Sequence, residues 1–374
     1  MFKHQIRFKT KTQAVLRTTS SALLGAACLL SGAGLAASHL LLNWFVPVAE
    51  ARDKPLTSQH LEYTEWILPD VAPTPDENRY DPVKAELGKQ LFFDPRLSGN
   101  GKMSCATCHN PAQGWSDGLP TGRGHEGKVL GRATPTIINV GFNTILMWDG
   151  RARDLEEQAM GPIENPDEMA NSAKNLVKTL NGIPGYVTAF EKAYPQVGIK
   201  VGTIRRSIAM YQRRVVANRS PFDRWVKGDQ AAMTEQQVRG FKVFIDPSKG
   251  NCALCHQPPN FTDNGFHNVG LASYGKKEPD LGRHLQKQFD LTKGAFKTPP
   301  LRNIVQTAPY FHDGSAATLR DVVDHYATGG VVKTDVSPNI NRLNISVKDK
   351  EDLVEFLKAL TSEIDRELVQ VKLP

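Results

Sequence analysis

The sequence predicts a mostly α-helical protein made of two related domains in tandem, and three observations support this fold class. The string Cys-x-x-Cys-His occurs twice, at 105–109 and 252–256, and similar segments surround both copies. Runs with the two-residue periodicity of β-strands are hard to find. A chain of 374 residues is long enough for two hydrophobic cores. We therefore expect an N-terminal domain over residues 52–225 and a C-terminal domain over residues 226–374.

The first 51 residues have the character of an export leader. They carry +4 of the total formal charge of +7, and their basic residues precede an apolar run from about Ala22 to Val48. That run exceeds the ~20 residues that span a bilayer, but its small and polar residues make it a poor anchor. We expect export to the periplasm, with cleavage of the leader and its retention as a membrane anchor both open. A buried N-terminal helix is disfavoured, because nothing amphipathic frames the run.

Four of the five cysteines fall in the two Cys-x-x-Cys-His strings, and Cys28 lies in the leader. Apolar residues continue past Cys28, which disfavours a lipoprotein site. An exported protein would ordinarily pair its other cysteines in disulfides. This string is instead typical of c-type haem attachment, in which the thiols form thioethers and the histidine binds iron. A zinc or redox site is the weaker alternative. The predicted attachment residues are Cys105, Cys108 and His109 for the first haem and Cys252, Cys255 and His256 for the second.

A helix is predicted before each string. Gly88–Pro95 and Gly240–Pro247 share the pattern Gly-x-x-x-Phe-x-Asp-Pro. Asp81-Pro82 is a typical start for the first helix, and Thr234-x-x-Gln237 forms a capping box for the second. The Asp-Pro pair ends both helices, since the residue before proline avoids helical backbone.

The repeat continues beyond the strings, which supports two homologous domains. The paired segments are Trp115–Asp117 with Phe261–Asp263, Thr134–Asn139 with Thr298–Asn303, Trp148–Gly150 with His312–Gly314, and Leu155 with Leu319. The boundary is predicted near Pro221 to Met233. It follows a predicted helix with an apolar face of Ile204, Ile208, Tyr211 and Val215.

Together these residues resemble the bacterial di-haem cytochrome c peroxidases and the related methylamine-utilisation enzymes of the MauG type. The resemblance covers about Asp81 to Leu360. It is carried by both haem strings and by Trp148–Arg151, Glu157–Pro162, Asn165–Met169 and Ala308–Gly314. It implies two cytochrome c-like domains, each with one covalent haem c, across an interface that often holds calcium. It also implies that one haem reacts with peroxide while the other passes in electrons.

The repeat itself suggests what faces each iron opposite its histidine. Pro162 lies seven residues after Leu155, and Tyr326 lies seven residues after Leu319. Proline has no side-chain donor, so the first iron stays open, whereas a tyrosine phenolate would close the second. No methionine follows Met233, which excludes a downstream methionine ligand. The tyrosine resembles the MauG-type arrangement and should lower the potential of the second haem. The adjacent His325 remains the alternative ligand.

The family resemblance places the acid–base group of the first haem at Glu168. Peroxide must lose a proton from the oxygen that binds iron, and the departing oxygen must gain one, which a carboxyl group can serve. Gln158, one helical turn before Pro162, would orient peroxide or an iron-bound water. A solvated loop glutamate is the alternative for Glu168.

Two further residues take roles from the resemblance. His125 sits in a glycine-rich loop, and in peroxidases a histidine of this loop caps the oxidised first haem until the second is reduced. MauG-type enzymes typically lack that ligand, and an exposed loop histidine is the alternative. Trp148 would relay electrons between the haems, with a plain core tryptophan as the alternative. The tryptophylquinone-forming enzymes also use a tryptophan two residues before the second string, where this chain has Gly250.

Calcium is implied by resemblance alone, with the side-chain oxygen of Asn139 and the carbonyls of Thr307 and Pro309 as ligands. His312 is expected to support a haem propionate or the backbone. His267 and His284 are expected to be ordinary surface histidines.

We therefore expect an exported di-haem peroxidase that reduces hydrogen peroxide with electrons from a cytochrome c, a cupredoxin or a quinol pathway. Outside the leader the charge is only +3, and no basic stripe with interleaved aromatic residues occurs, so nucleic acid is not an expected partner. The family tendency toward dimers suggests a homodimer by analogy. Two rival functions are a MauG-type enzyme that oxidises a partner protein and a non-catalytic electron-transfer cytochrome with both irons closed.

Overall fold

A computed structural model of the protein describes residues 61–374, which lie within one compact unit. The predicted leader at 1–51, with Cys28, lies outside the described residues. Within the described part of the chain, no helix is both long enough and apolar enough to cross a membrane. The choice between a cleaved leader and an anchor therefore stays a prediction.

The prediction of a mostly helical fold is confirmed. The helices are α1 (Pro82–Phe93), α2 (Cys105–Cys108), α3 (Leu155–Gln158), α4 (Gly161–Glu164), α5 (Ala173–Asn181), α6 (Pro184–Ala193), α7 (Val201–Gln212), α8 (Pro221–Val226), α9 (Glu235–Ile245), α10 (Leu319–Thr328) and α11 (Val347–Lys358). Two short strands, β1 (Phe266–His267) and β2 (Phe296–Lys297), pair antiparallel with Phe266 opposite Lys297. Short 3-10 turns lie in the long loops between these elements, among them Leu61–Trp66, His125–Gly127 and Cys252–Leu254.

Local sequence signals set the ends of the helices that precede the two strings. The Asp81 carboxylate accepts hydrogen bonds from the backbone N–H groups of Val83 (2.8 Å) and Lys84 (3.2 Å), so α1 begins where predicted. Thr234 and Gln237 form the predicted capping box of α9. Both helices stop at the residue before the Asp-Pro pair. Only the predicted helix around Ile204 is shorter than expected, because α7 ends at Gln212, before Val215.

Each half of the chain has one close helix crossing made possible by the repeated glycine. α1 packs on α7, and α9 packs on α11. A Cβ on Gly88 would lie 1.8 Å from the carbonyl oxygen of Ser207, and one on Gly240 would lie 1.9 Å from that of Asp352. The helix backbones are therefore in direct contact at both crossings, and no side chain fits at the position of Gly88 or Gly240.

Two hydrophobic cores form around these crossings. The first includes Leu91, Phe92, Trp115, Ile208 and Tyr211, all at most 1% exposed. The second is strongly aromatic, and its buried members include Trp66, Phe222, Phe241, Phe244, Phe261 and Phe356. Two cores agree with the repeat, although the division at residues 225 and 226 itself stays a prediction.

The packing crosses the predicted boundary in three places. Trp66, from the start of the described chain, lies in the second core with Phe222 of α8. Leu368 lies instead in the first core, where its carbonyl oxygen accepts a hydrogen bond from the Tyr211 hydroxyl (2.7 Å). Buried Arg302 donates to the carboxylate of Asp223 (2.6 Å) and to the carbonyl of Trp66 (3.1 Å), which fixes α8 in the second half.

The repeat extends to backbone conformations that side chains rarely adopt. Trp115 and Phe261 have φ of 60° and 58°, and Met147 and Phe311 both have φ of 69°. Left-handed backbone is uncommon outside glycine, so its recurrence at matched positions supports a common ancestry for the two halves.

Replacing Gly240 or Gly88 with alanine should destabilise the protein by at least about 2 kcal/mol, because the new methyl group meets a backbone carbonyl. Gly202→Ala is the matched control, since a Cβ on Gly202 of α7 meets nothing within 4 Å. That control should be neutral or stabilising by up to about 1 kcal/mol. Denaturant unfolding of the haem-loaded protein measures both, and equal stability of G240A and G202A would contradict the close crossing.

Candidate active site

The imidazole of each string is held by a backbone carbonyl. His109 Nδ1 lies 3.3 Å from the carbonyl oxygen of Trp115, and His256 Nδ1 lies 2.9 Å from that of Phe261. Both carbonyls belong to residues with the left-handed backbone described above. A hydrogen bond at Nδ1 fixes the ring and leaves Nε2 for a metal. The contacts of both predicted proximal histidines are therefore compatible with iron ligation through Nε2.

The donor set at each string fits a c-type haem. Its cysteines, Cys105 and Cys108 in the first string and Cys252 and Cys255 in the second, form no disulfide. Burial raises the pKa of the Cys105 and Cys252 thiols to about 12 and that of Cys108 to about 11. Burial also lowers the pKa of His256 to about 4 and that of His109 below its ordinary value, so both imidazoles are neutral at pH 7. Two free thiols beside a neutral imidazole are what thioether attachment and iron ligation require.

The first string opens into a cavity of about 480 Å³. Cys105, Cys108 and His109 line it together with Gln158, Pro162 and Glu168, so the structure brings the predicted groups of the first site together. Trp148 lines the same cavity, as do Met103, Met147 and Met169. The volume and the mixed lining of polar and apolar residues suit a cofactor with one accessible face.

Glu168 is positioned by the loop that follows α4. The amide of Asn165 donates to Glu168 Oε1 (2.8 Å), and the Glu168 N–H donates to the carbonyl of Asn165 (3.1 Å). The glutamate is half-buried rather than solvated on the surface. One carboxylate oxygen is thus anchored, while the second forms no hydrogen bond within the described part of the chain, and Glu168 lines the cavity.

The two halves differ where the repeat places Pro162 and Tyr326. In the first half, α3 ends at Gln158, and α4 begins anew with Pro162 in its first turn. In the second half, α10 runs unbroken from Leu319 to Thr328 and carries Tyr326. The first cavity is therefore lined by a side chain without a donor, while a phenol takes the matched position in the second half.

His325 and Tyr326 differ in their surroundings. His325 Nε2 lies 2.8 Å from the carbonyl oxygen of Val269, so this nitrogen is already used in a hydrogen bond. Burial raises the pKa of the Tyr326 phenol well above its ordinary value, and the nearby sulfur groups of Cys255 and Cys252 contribute to the rise. Ferric iron would have to displace that proton to bind the oxygen. The assignment of Tyr326 as the ligand stays a prediction.

Trp148 connects the first cavity to the second half of the chain. Its indole N–H donates to the carbonyl of Ala133 (2.9 Å), and its own carbonyl accepts from the N–H of Lys297 in β2 (2.8 Å). The ring centroid lies 6.4 Å from that of His312. His312 is buried and stacked on Phe296 at 3.5 Å, so it supports this junction.

The sequence reasoning missed a bridge across the same junction. Arg132 donates to Asp149 (2.8 Å) and to both oxygens of Asp280 (2.6 and 2.9 Å). Asp280 belongs to a loop of the second half, yet it lines the first cavity. Nothing in the repeat signals this contact, because the loop that carries Asp280 has no counterpart in the first half.

His125 does not line the first cavity in this structure, although Val129, Leu130 and Gly131 of its loop do. Its Nδ1 lies 3.3 Å from the amide nitrogen of Asn100, and its backbone N–H donates to the carbonyl of Asp167 (3.0 Å). The loop is therefore docked beside the segment that carries Glu168. The capping role of His125 stays a prediction.

The calcium prediction gains no support from Asn139. The Asn139 side chain accepts from the N–H of Ala217 (2.8 Å) and donates to its carbonyl (3.0 Å). Asn303, its counterpart in the repeat, makes the same pair with Ser362. Both asparagines thus clamp a returning backbone segment, which gives Asn139 a structural task. The roles of Thr307 and Pro309 stay predictions.

Two of the remaining histidines, His267 and His284, form polar contacts that the sequence did not predict. The expectation that His267 is a surface histidine is wrong, because its side chain is 19% exposed and lies 2.8 Å from Asp263 Oδ2. The spacing Asp263-x-x-x-His267 was the available signal. His284 Nδ1 lies 3.0 Å from the carbonyl of Phe289 within its own loop.

Packing explains the glycine before the second string. A Cβ on Gly250 would lie 2.5 Å from the carbonyl oxygen of Val243. A tryptophan at this position would therefore require the end of α9 to move.

Comparison with known proteins gives a consistent result. A profile described as di-haem cytochrome c peroxidase matches residues 82–231. The methylamine utilization protein MauG of Methylophilus methylotrophus is 42% identical over 292 residues, which cover 78% of this chain and 86% of that protein. The cytochrome c551 peroxidase of Pseudomonas aeruginosa is 36% identical over 340 residues, which cover 87% and 92%. Among solved structures, a MauG-like protein associated with microbial copper homeostasis superposes with a TM-score of 0.74 at 31% identity, covering 82% and 97%.

Replacing Tyr326 with phenylalanine should change the optical and EPR spectra of the second ferric haem and raise its midpoint potential, because an anionic ligand is lost. The matched variant is His325→Asn, which should leave both spectra unchanged. The opposite pattern, with H325N altering the second haem and Y326F silent, would assign the ligand to His325.

Proposed function

The chain belongs to the di-haem cytochrome c peroxidase family, and from that premise we propose that it reduces hydrogen peroxide to water with electrons from an external donor. The reaction would take place at the site of His109. Electrons would enter at the site of His256 and Tyr326.

One observation carries this proposal: the first cavity combines a histidine of the haem string with an acid–base group and with a proline at the position where the second half has Tyr326. His109, Pro162 and Glu168 all line it. When bound, the haem supplies the redox chemistry, and the protein supplies position, access and proton transfer. A purely electron-transferring cytochrome would have no use for such an acid–base group.

Glu168 would move the proton that peroxide cleavage requires. Its Oε1 is held by the Asn165 amide (2.8 Å), which orients the carboxylate. The carboxylate would accept a proton from the oxygen of peroxide nearest the iron and return it to the departing oxygen, which leaves as water. Gln158, on the same cavity wall, would orient peroxide through its side-chain amide.

The second site would serve electron entry. With His256 on one side and Tyr326 on the other, no position would remain for peroxide. Trp148 would carry electrons toward the first site, since it lines the first cavity and its backbone bonds to β2. A small cytochrome c or a cupredoxin would deliver them in the periplasm, and calcium between the halves remains part of the proposal.

A MauG-type activity on a partner protein is the second candidate. Pro162 and Tyr326 favour it, as does the similarity to MauG proteins. His125 and Gly250 oppose it. The close approach of Gly250 to the Val243 carbonyl excludes a tryptophan at that place without a shift of α9.

Glu168→Gln should lower kcat for hydrogen peroxide by about 100-fold or more, the usual contribution of acid–base catalysis. Glu164→Gln is the control, because Glu164 is exposed at the end of α4 and does not line the cavity. Steady-state peroxidase assays with a reduced small cytochrome measure both. A wild-type rate in E168Q would remove Glu168 from the reaction.

His125→Ala should convert the first ferric haem to a high-spin form that reacts with peroxide without prior reduction, if His125 leaves Asn100 to cap the iron. EPR of the oxidised wild type and variant reports the spin state. Identical spectra in the two proteins would show that His125 is an ordinary loop histidine.

A further inference from the structure

The surroundings of the two proximal histidines repeat closely. In each half, a hydroxyl donates to the carbonyl of the threonine that begins the Thr-Pro pair, from Ser116 to Thr134 (2.7 Å) and from Thr262 to Thr298 (2.6 Å). The residue after each hydroxyl is an aspartate, Asp117 or Asp263. Each aspartate accepts a backbone N–H two residues on, from Leu119 (3.0 Å) or Gly265 (2.7 Å).

The charges around these two aspartates differ. Asp263 pairs with His267 (2.8 Å), whereas in the described chain no basic side chain forms an ion pair with Asp117. The residue before Thr298 is Lys297, and the residue before Thr134 is Ala133. The two halves therefore share the same backbone hydrogen bonds around these aspartates. Only the second half adds two cationic side chains, His267 and Lys297.

Both added cations are held inside the protein. Lys297 is 6% exposed, and its ammonium donates to the carbonyl of Thr298 (2.9 Å). Burial lowers the pKa of Lys297 to about 8, with Asp263 as the opposing charge, so the group stays largely protonated at pH 7. The His267 and Asp263 side chains are 19% and 17% exposed.

The cluster lies at the edge of the second haem site. The sulfur of Cys255, a ring nitrogen of His267 and a carboxylate oxygen of Asp263 all lie within 4.8 Å of one another. These three residue types could hold a metal ion, but thioether formation consumes the Cys255 thiol. The Cys255 sulfur would then be bonded to the edge of the haem, so the His267 imidazole and the Asp263 carboxylate lie close to that edge.

We propose that Asp263, His267 and Lys297 form a partly buried cluster of net charge +1 that raises the midpoint potential of the second haem. The proposal rests on the proposed function, in which that haem accepts electrons from outside. All three are positioning residues, since they act on the iron through the electric field and not by ligation. Their effect opposes that of Tyr326, whose anionic oxygen stabilises ferric iron.

The sign follows from the charges. Reduction adds one negative charge to the haem, and a nearby cation stabilises the product more than the reactant. The hydrogen bond that His267 donates to Asp263 raises the pKa of His267 to about 10. A Cys255 sulfur contributes to that rise, and although thioether formation removes this part, the larger contribution of Asp263 remains. His267 is therefore an imidazolium beside a carboxylate, and Lys297 supplies the unbalanced positive charge.

The test is a spectroelectrochemical titration of the haem-loaded protein, with the two haems resolved by their optical spectra. His267→Gln, which keeps a donor for Asp263 but loses the charge, should lower the potential of the second haem. Lys297→Met should lower it as well. Each shift should be roughly tenfold in the reduction equilibrium, about 59 mV for one electron.

The pattern across the variants separates this effect from a structural one. Asp263→Asn should leave the potential of the second haem close to wild type at pH 7, because His267 loses the carboxylate that keeps it protonated and both charges of the pair disappear together. The double variant H267Q/D263N should likewise bring the lowered potential of H267Q back close to wild type, because the pair is neutral overall. The matched variant at the first site, Asp117→Asn, should raise the potential of the first haem and leave the second unchanged.

Unchanged second-haem potentials in H267Q and K297M, or a double variant H267Q/D263N whose potential stays as low as that of H267Q, would overturn the proposal. That failure differs from failure of the proposed function, which would appear in the wild type as a protein that never reacts with peroxide. The potentials report the cluster regardless of that reaction.

Discussion

The hydrogen bond between Nδ1 of each proximal histidine and a backbone carbonyl is the constraint on which the rest of the structure depends. The carbonyl points at the ring only because Trp115 and Phe261 adopt left-handed backbone. Both aromatic rings are buried in the cores, at 1% and 0% exposure, so the cores hold the carbonyls in place. The two cores form around the helix crossings at Gly88 and Gly240. The orientation of both imidazole rings therefore depends on the packing of the two cores.

The same frame supports two different sites because a few side chains differ at matched positions. A proline breaks the helix of the first half where the second half keeps a continuous α10 with Tyr326. An alanine takes the place of Lys297, and no imidazole pairs with Asp117 in the described chain. In the proposed function these replacements would leave one iron open and close the other without a change of fold. The proposed difference in role between the two halves thus depends on a few residues at matched positions of a shared backbone.

Much of this architecture could be predicted from the sequence because its signals are local. The helix start at Asp81, the capping box at Thr234 and the Asp-Pro stops depend on residues that are neighbours in the chain. The haem strings predicted both proximal histidines, and the repeat and the family resemblance together predicted that Pro162, Gln158 and Glu168 lie near His109, as their common cavity shows. Tertiary contacts were less accessible. Trp66 and Leu368 pack in the core of the opposite half, and Asp280 reaches the first cavity from a loop without a counterpart. The clamp that the Asn139 amide forms with Ala217, a partner 78 residues away, was likewise not predicted.

The most direct measurement of the central claim is the optical and EPR spectrum of the protein with both haems ferric, before and after one equivalent of hydrogen peroxide, and again after one-electron reduction. The account predicts that the first haem responds to peroxide, at once if its distal face is open or after reduction if His125 must first leave. The second haem should keep its ligands throughout. A protein whose spectra ignore peroxide in both oxidation states would contradict an open first site and would be an electron carrier instead.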